Sequence, residues 1–191
     1  MAKMGKFSAN DLKKLQKQLN QIKPNDIDAF IEQCAKELAA RLLAKVIPRT
    51  PVGVYGKSFV KDNEGNKIRY KAGKNKGKIK RAAVKTGGTL RRGWTSKSHE
   101  EAAGGSGKGS AANAKAYVDS LKVNYFGNTF VVEIKNPVEY ASYVEFGHRT
   151  ANHKGIVEGK HMLEISENEI QNIAPNVLEA KVKKFLGECF K

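Results

Sequence analysis

The sequence predicts an α+β fold: N-terminal helices and a long C-terminal helix packed on a small antiparallel β-sheet, with a long basic inserted arm or hairpin. Three observations predict it. Residues 27–46 and 163–186 carry apolar side chains at three- and four-residue spacing, as one buried helix face requires. Between them lie short runs of β-branched and aromatic residues bounded by Gly, Asn and Asp, the pattern of strands and their turns. The cations, finally, are concentrated in one segment instead of being spread over the surface. With 191 residues, 40% of them hydrophobic, a single domain over 1–191 can bury a core.

The elements follow in order. Within 1–23, Ser8 can cap a short amphipathic helix, Ala9–Gln21, whose stripe is Leu12, Leu15 and Leu19. Pro24-Asn25-Asp26 starts a second helix. Its face is Ile27, Phe30, Ile31, Cys34, Leu38, Leu42 and Val46, and Pro48 and Pro51 stop it. Residues 52–85 form the basic arm. Phe59-Val60 and Lys67–Tyr70 flank the turn Asp62–Asn66, and Lys71–Lys85 holds too few apolar residues to bury and enough glycine to stay mobile. Thr86-Gly87-Gly88 is a turn, and Thr89–Thr95 reads as a short strand.

Residues 102–115, rich in Gly, Ser and Ala, read as a flexible loop. Ala116–Asn124 and Thr129–Lys135 read as two strands joined by Phe126-Gly127-Asn128, with a bulge near Asp119-Ser120. Pro137 opens a short helix, Val138–Phe146, which is too apolar for solvent and so is docked, and Gly147 ends it. A loop, Arg149–Lys160, leads to the last helix from His161 or Met162, which Pro175 should kink or split.

Several function classes drop out. No run of ~18 apolar residues exists to cross a membrane, and the first ten residues carry no apolar stretch of the secretory-signal type. Cys34 and Cys189 lie far apart in helical contexts and read as buried free thiols, without zinc-type pairing. His148, His153 and His161, with Glu145 or Glu158, match no helical ligand spacing, so no metal is expected. Glu145 next to Phe146-Gly147-His148 lacks a nucleophile or second carboxylate, and a structural hydrogen bond to the adjacent loop or an arginine suits it better. Gly104–Ser110 fails the phosphate-loop spacing. An enzyme and a cofactor are not expected.

Charge is the sharper signal. The formal net charge is +16, yet Pro48–Lys97 alone holds 15 lysines and arginines against Asp62 and Glu64, which leaves +3 for everything else. The arm cations are Lys57, Lys61, Lys67, Arg69, Lys71, Lys74, Lys76, Lys78, Lys80, Arg81 and Lys85, with Tyr55, Phe59 and Tyr70 among them. Such a set neutralises phosphates without reading bases, or meets acidic protein surfaces.

Two stretches carry a resemblance. The first is Leu42–Val52 continued by Thr86-Gly87-Gly88-Thr89-Leu90-Arg91-Arg92-Gly93-Trp94. The second is Tyr140-Ala141-Ser142-Tyr143-Val144-Glu145-Phe146-Gly147-His148. Together they resemble the neck, or tail-completion, proteins of tailed bacteriophages, in which a helix ends in a "tPvdTGxLrxSw" run and a "YAxyvEfGt" run precedes a C-terminal helix. The matching positions are Pro51, Thr86, Gly87, Leu90, Arg92, Trp94, Tyr140, Ala141, Tyr143, Glu145 and Gly147. This chain departs from the pattern where the basic arm separates Pro51-Val52 from Thr86-Gly87, at His148, and at Gly159–Leu163.

The resemblance implies a structural virion protein of the head–tail interface, assembled in the host bacterial cytoplasm. It implies a homo-oligomeric ring of six or twelve copies around the DNA channel. Its neighbours would be the head-side connector or portal-associated proteins and the tail terminator or tail tube, with no membrane contact. The arm would touch packaged DNA non-specifically or dock on neighbouring subunits. Docking is slightly preferred, because dense lysine in the conduit would impede ejection. A tail terminator of the same particle and a stand-alone nucleic-acid-binding protein are the alternatives. In this frame Gly87 turns the chain sharply into the sheet, Trp94 faces the core from its strand, and Glu145 pins the turn that follows it.

Overall fold

The computed structural model describes residues 22–54, 56–83, 87–105, 109–127 and 129–189, with isolated positions 13, 16, 17 and 20. Apart from those positions the expected helix Ala9–Gln21 lies outside the described residues, as do Tyr55, Lys85 and Thr86. The architecture is α+β, with two long helices near its ends. Its strands form three separate two-stranded antiparallel ladders where one small sheet was expected.

Helix α1, Pro24–Arg49, opens on a proline, whose missing N–H costs nothing at a first helical position. Pro48 sits in its last turn. Strands β1 (Lys57–Phe59) and β2 (Arg81–Ala83) belong to the arm. Then come α2 (Thr89–Gly93), α3 (His99–Gly104), a 3₁₀ turn (Ala111–Asn113) and α4 (Ala114–Asp119). The hairpin β3 (Asn124–Phe126) and β4 (Thr129–Val131) follows, then α5 (Ala141–Phe146), the hairpin β5 (Gly147–Arg149) and β6 (Ile156–Glu158), and α6 (Met162–Cys189).

Several elements differ from expectation, each for a local reason. Thr89–Thr95 is helical rather than extended, because Leu90, Gly93 and Trp94 are buried together, a three- and four-residue spacing. The Gly/Ser/Ala stretch is partly helical, because Ser98 and Ser110 cap it: Ser98 Oγ accepts from Glu101 N at 3.3 Å and Ser110 Oγ from Ala112 N at 3.2 Å. The first part of Ala116–Asn124 is helix up to Asp119, with Ala114 and Val118 buried four apart, and the supposed bulge at Asp119-Ser120 is that helix's end. Helix α6 passes through Pro175 without splitting. Cys34 is buried and burial raises its thiol pKa, whereas Cys189 is exposed.

The chain divides into two compact units. The first comprises residues 1–42, 115–134 and 164–191. In it α1 and α6 run antiparallel: the Phe30 and Phe185 rings stack at 4.4 Å, and Lys181 lies 3.9 Å from Glu37. Cys34, Ala39, Val118, Val123 and Ile170 are buried here, while Ile27 and Ile31 of the predicted stripe are 40% and 36% exposed.

The second unit comprises residues 43–114 and 135–163. Its core is Leu43, Val46, Ile47, Leu90, Trp94, Ala102, Val138 and Met162. The arm belongs to this unit, and its pairings run through residues 57–83, including part of Lys71–Lys85, the stretch expected to be mobile. Lys57 pairs with Ala83, Ser58 with Ala82 and Phe59 with Arg81, forming a stem. The stem opens into two hairpins, one turning at Asp62–Asn66 and one at residues 71–77. Three backbone bonds close the junction in a ring: Val60 N to Lys80 O at 2.9 Å, Ile68 N to Val60 O at 2.9 Å, and Lys80 N to Ile68 O at 2.7 Å. The half-buried Val60, Ile68 and Ile79 sit at this junction.

Candidate assembly site

The residues of the family-like runs converge in the second unit. They begin at the end of α1, where the last carbonyls have no partner inside the helix. Arg91, from α2, supplies one: its Nε donates to Thr50 O at 3.0 Å, and its Nη2 donates to Thr50 O at 2.6 Å and Pro48 O at 3.0 Å. A cation at this end also complements the helix dipole. Thr50 is fully buried. Its Oγ1 donates to Val46 O and accepts from Trp94 Nε1, both at 2.7 Å. Arg92 turns the other way and donates through Nε to Ala102 O at 2.7 Å, which ties α2 to α3. The cations Arg91 and Arg92 are therefore spent on carbonyls inside the fold.

Both halves of the interrupted run line a groove of ≈ 250 Å³, formed by Pro51, Val52, Gly53, Gly88, Thr89, Leu90, Tyr140 and Val144. A Cβ on Gly87 would overlap the Gly53 carbonyl oxygen, so the two halves of the interrupted run approach more closely than any side chain permits. The sharp turn itself belongs to Gly88, at φ +106°. Leu90 O accepts from Asn136 Nδ2 at 2.8 Å, which brings in the chain leading to α5. Trp94 faces the core as expected, but from the end of a helix rather than a strand.

Tyr140 precedes α5 and Ala141 opens it. This short helix is docked through Val144 and Glu145, while Tyr143 and Phe146, expected to be buried with it, are 59% and 73% exposed. Tyr143 meets the His148 ring edge-on at 5.8 Å. Glu145, by contrast, is buried. Both of its carboxylate oxygens accept from Leu163 N at 3.1 Å, so it caps the first turn of α6. Its own carbonyl accepts from His161 N at 3.1 Å, and Val144 O accepts from Lys160 N at 2.8 Å. Gly147 has φ +84° and ψ 173°, a region that only glycine enters freely, and a Cβ there would overlap the Val157 carbonyl.

Thr50 and Arg91 were not singled out in the sequence, although the signal was there: a helix ending at Pro48 needs partners for its carbonyls. Among the described residues no three His, Cys, Asp or Glu side chains form a metal set. His148 lies in β5, while His153 and His161 occupy backbone at φ +56° and +44°. No described helix is long and apolar enough to cross a membrane.

The arm cations Lys57, Lys61, Lys67, Arg69, Lys71, Lys74, Lys76, Lys78, Lys80 and Arg81 stand exposed along the stem and both hairpins. Lys67 Nζ and Arg81 Cζ lie 4.5 and 4.8 Å from the Phe59 ring centre, and Lys80 Nζ lies 5.7 Å from that of Tyr70.

Carbonyl-capping arginines, close-approach glycines and a helix-capping glutamate thus hold the two family-like runs in place. A family model described as "Bacteriophage HK97-gp10, putative tail-component" matches residues 13–147, and the chain belongs to this family. Neither a curated protein nor a solved structure matches the chain.

Proposed function

We propose that this phage tail component is a neck protein, forming a homo-oligomeric ring that joins the tail to the head-side connector around the DNA channel. Its role is structural, without catalysis or cofactor. The observation that supports this reading is the exposed apolar surface of the second unit. Val54 in the segment after α1, Tyr143 and Phe146 on α5, and Ile156 and Val157 on β6 are 97%, 59%, 73%, 76% and 43% exposed. Apolar side chains left in water at this density mark protein contact sites. Within a tail component, a second copy and the adjoining ring proteins are the natural occupants.

The test is electron microscopy and light scattering of the purified chain. Closed rings of six or twelve copies are expected, with loss of the ring in the Phe146→Asp variant at unchanged circular dichroism. A monomer at all concentrations, or rings indifferent to that substitution, would overturn the reading. Rings that bind isolated tails but never heads would point to a tail terminator instead.

A further inference from the structure

We propose that the arm, residues 57–83, holds duplex DNA by its phosphate backbone without reading sequence. The proposal stands on three features of the arm and not on the ring.

The first is that its charge is not neutralised by carboxylates, although Arg69 Nη1 donates to Gly77 O at 2.7 Å. On the long helices, cations are matched to their own carboxylates: Lys36 with Glu32 at 2.9 Å, Arg41 with Glu37 at 2.8 Å, Lys184 with Glu188 at 3.8 Å. In the arm no lysine or arginine forms an ion pair with a described residue. Its two acids are committed to a turn, where Asp62 Oδ1 accepts from Glu64 N at 3.1 Å and Asn66 N at 2.8 Å, and Glu64 Oε2 accepts from Asn66 Nδ2 at 3.4 Å. So dense a field of cations calls for an external polyanion.

The second is that the arm offers no apolar anchor. Protein interfaces draw most of their affinity from buried aromatic and aliphatic groups. Here Val60, Ile68 and Ile79 are half-buried within the arm, and Phe59, 37% exposed, lies under Lys67 and Arg81. This shifts the balance away from docking on an acidic protein. The third is that Phe59 lies under two cations and Tyr70 is half-buried, which leaves no open aromatic platform of the kind single-strand binders stack bases on. Charge without anchors and without stacking platforms fits a phosphate backbone, where binding comes from counterion release.

The experiment uses the full chain and fluorescent duplexes of about 30 bp in two unrelated sequences, titrated over a salt series. Equal affinity for both is expected, with log K falling linearly in log salt. The triple variant Lys74→Gln, Lys76→Gln, Lys78→Gln alters exposed hairpin residues and should keep its circular dichroism. It should bind at least about tenfold more weakly at ~0.15 M salt, and its salt slope should shrink by about 0.9 for each of these lysines that had engaged a phosphate. The pair Lys183→Gln, Lys184→Gln on α6 should bind as the parent does. Parental binding by the triple variant would overturn the proposal. So would stronger binding to single strands, a preference between the two sequences, or displacement by poly-glutamate as effective as by DNA. A chain that forms rings yet fails these tests refutes the arm's role and leaves the neck reading intact. A chain that binds DNA as expected but stays monomeric does the reverse.

Discussion

Thr50 shows how one residue serves two elements. Its hydroxyl is donor to the last turn of α1 and acceptor for the Trp94 indole, with no water to replace either partner, since it is fully buried. Thr50→Val keeps the shape and removes both bonds, leaving an indole N–H unsatisfied. The expected cost is about 1–3 kcal/mol, read as a lower denaturant midpoint with an unchanged slope. Thr50→Ser retains the hydroxyl and should lose less. A midpoint unchanged in Thr50→Val would show that the indole finds another acceptor.

Among the elements, α6 depends on a cap supplied from α5 rather than from its own sequence. Glu145→Ala removes the carboxylate that accepts from Leu163 N, and an expected loss of about 1–2 kcal/mol follows. Glu145→Gln, which can still accept, should fall between the two. Hydrogen exchange of the first-turn amides of α6 would check the assignment, since only those should exchange faster.

This level also shows what could be read from the chain beforehand. The long helices were legible because their stripes outlast any competing period, and so was the turn at Asp62–Asn66, whose Asp and Asn close it locally. The short helices α2, α3 and α4 were not. Leu90 and Trp94 also sit in phase with a strand, so only tertiary burial decides between the two periods. Ser98-x-x-Glu101 is a readable cap, with Glu101 Oε2 accepting from Lys97 N at 2.7 Å, but glycine-rich surroundings hid it. The cap that Glu145 gives to Leu163 spans 18 residues, a pairing no local pattern contains.

For the whole molecule, the arm is an excursion whose ends meet. Lys57 pairs with Ala83, and Gly87 returns against Gly53, so the scaffold on either side stays continuous in space. Replacing residues 57–83 by a short Gly/Ser linker should therefore leave a cooperative transition, with the melting temperature within a few degrees of the parent chain, because loop-closure cost varies slowly with length. A broad or absent transition would show that the body needs the arm. The same excision removes half of the net positive charge, so elution from a cation exchanger should move to lower salt.

The ring of three amide bonds at Val60, Ile68 and Lys80 has a consequence for how such an arm can vary. It is closed by main-chain atoms alone, so the identity of the side chains beyond it is immaterial to closure. Residues at either hairpin tip can change in number and sign while the junction persists. The proposed grip of the arm on DNA would thus be adjustable through tip composition, while the junction that joins the arm to the second unit is held constant.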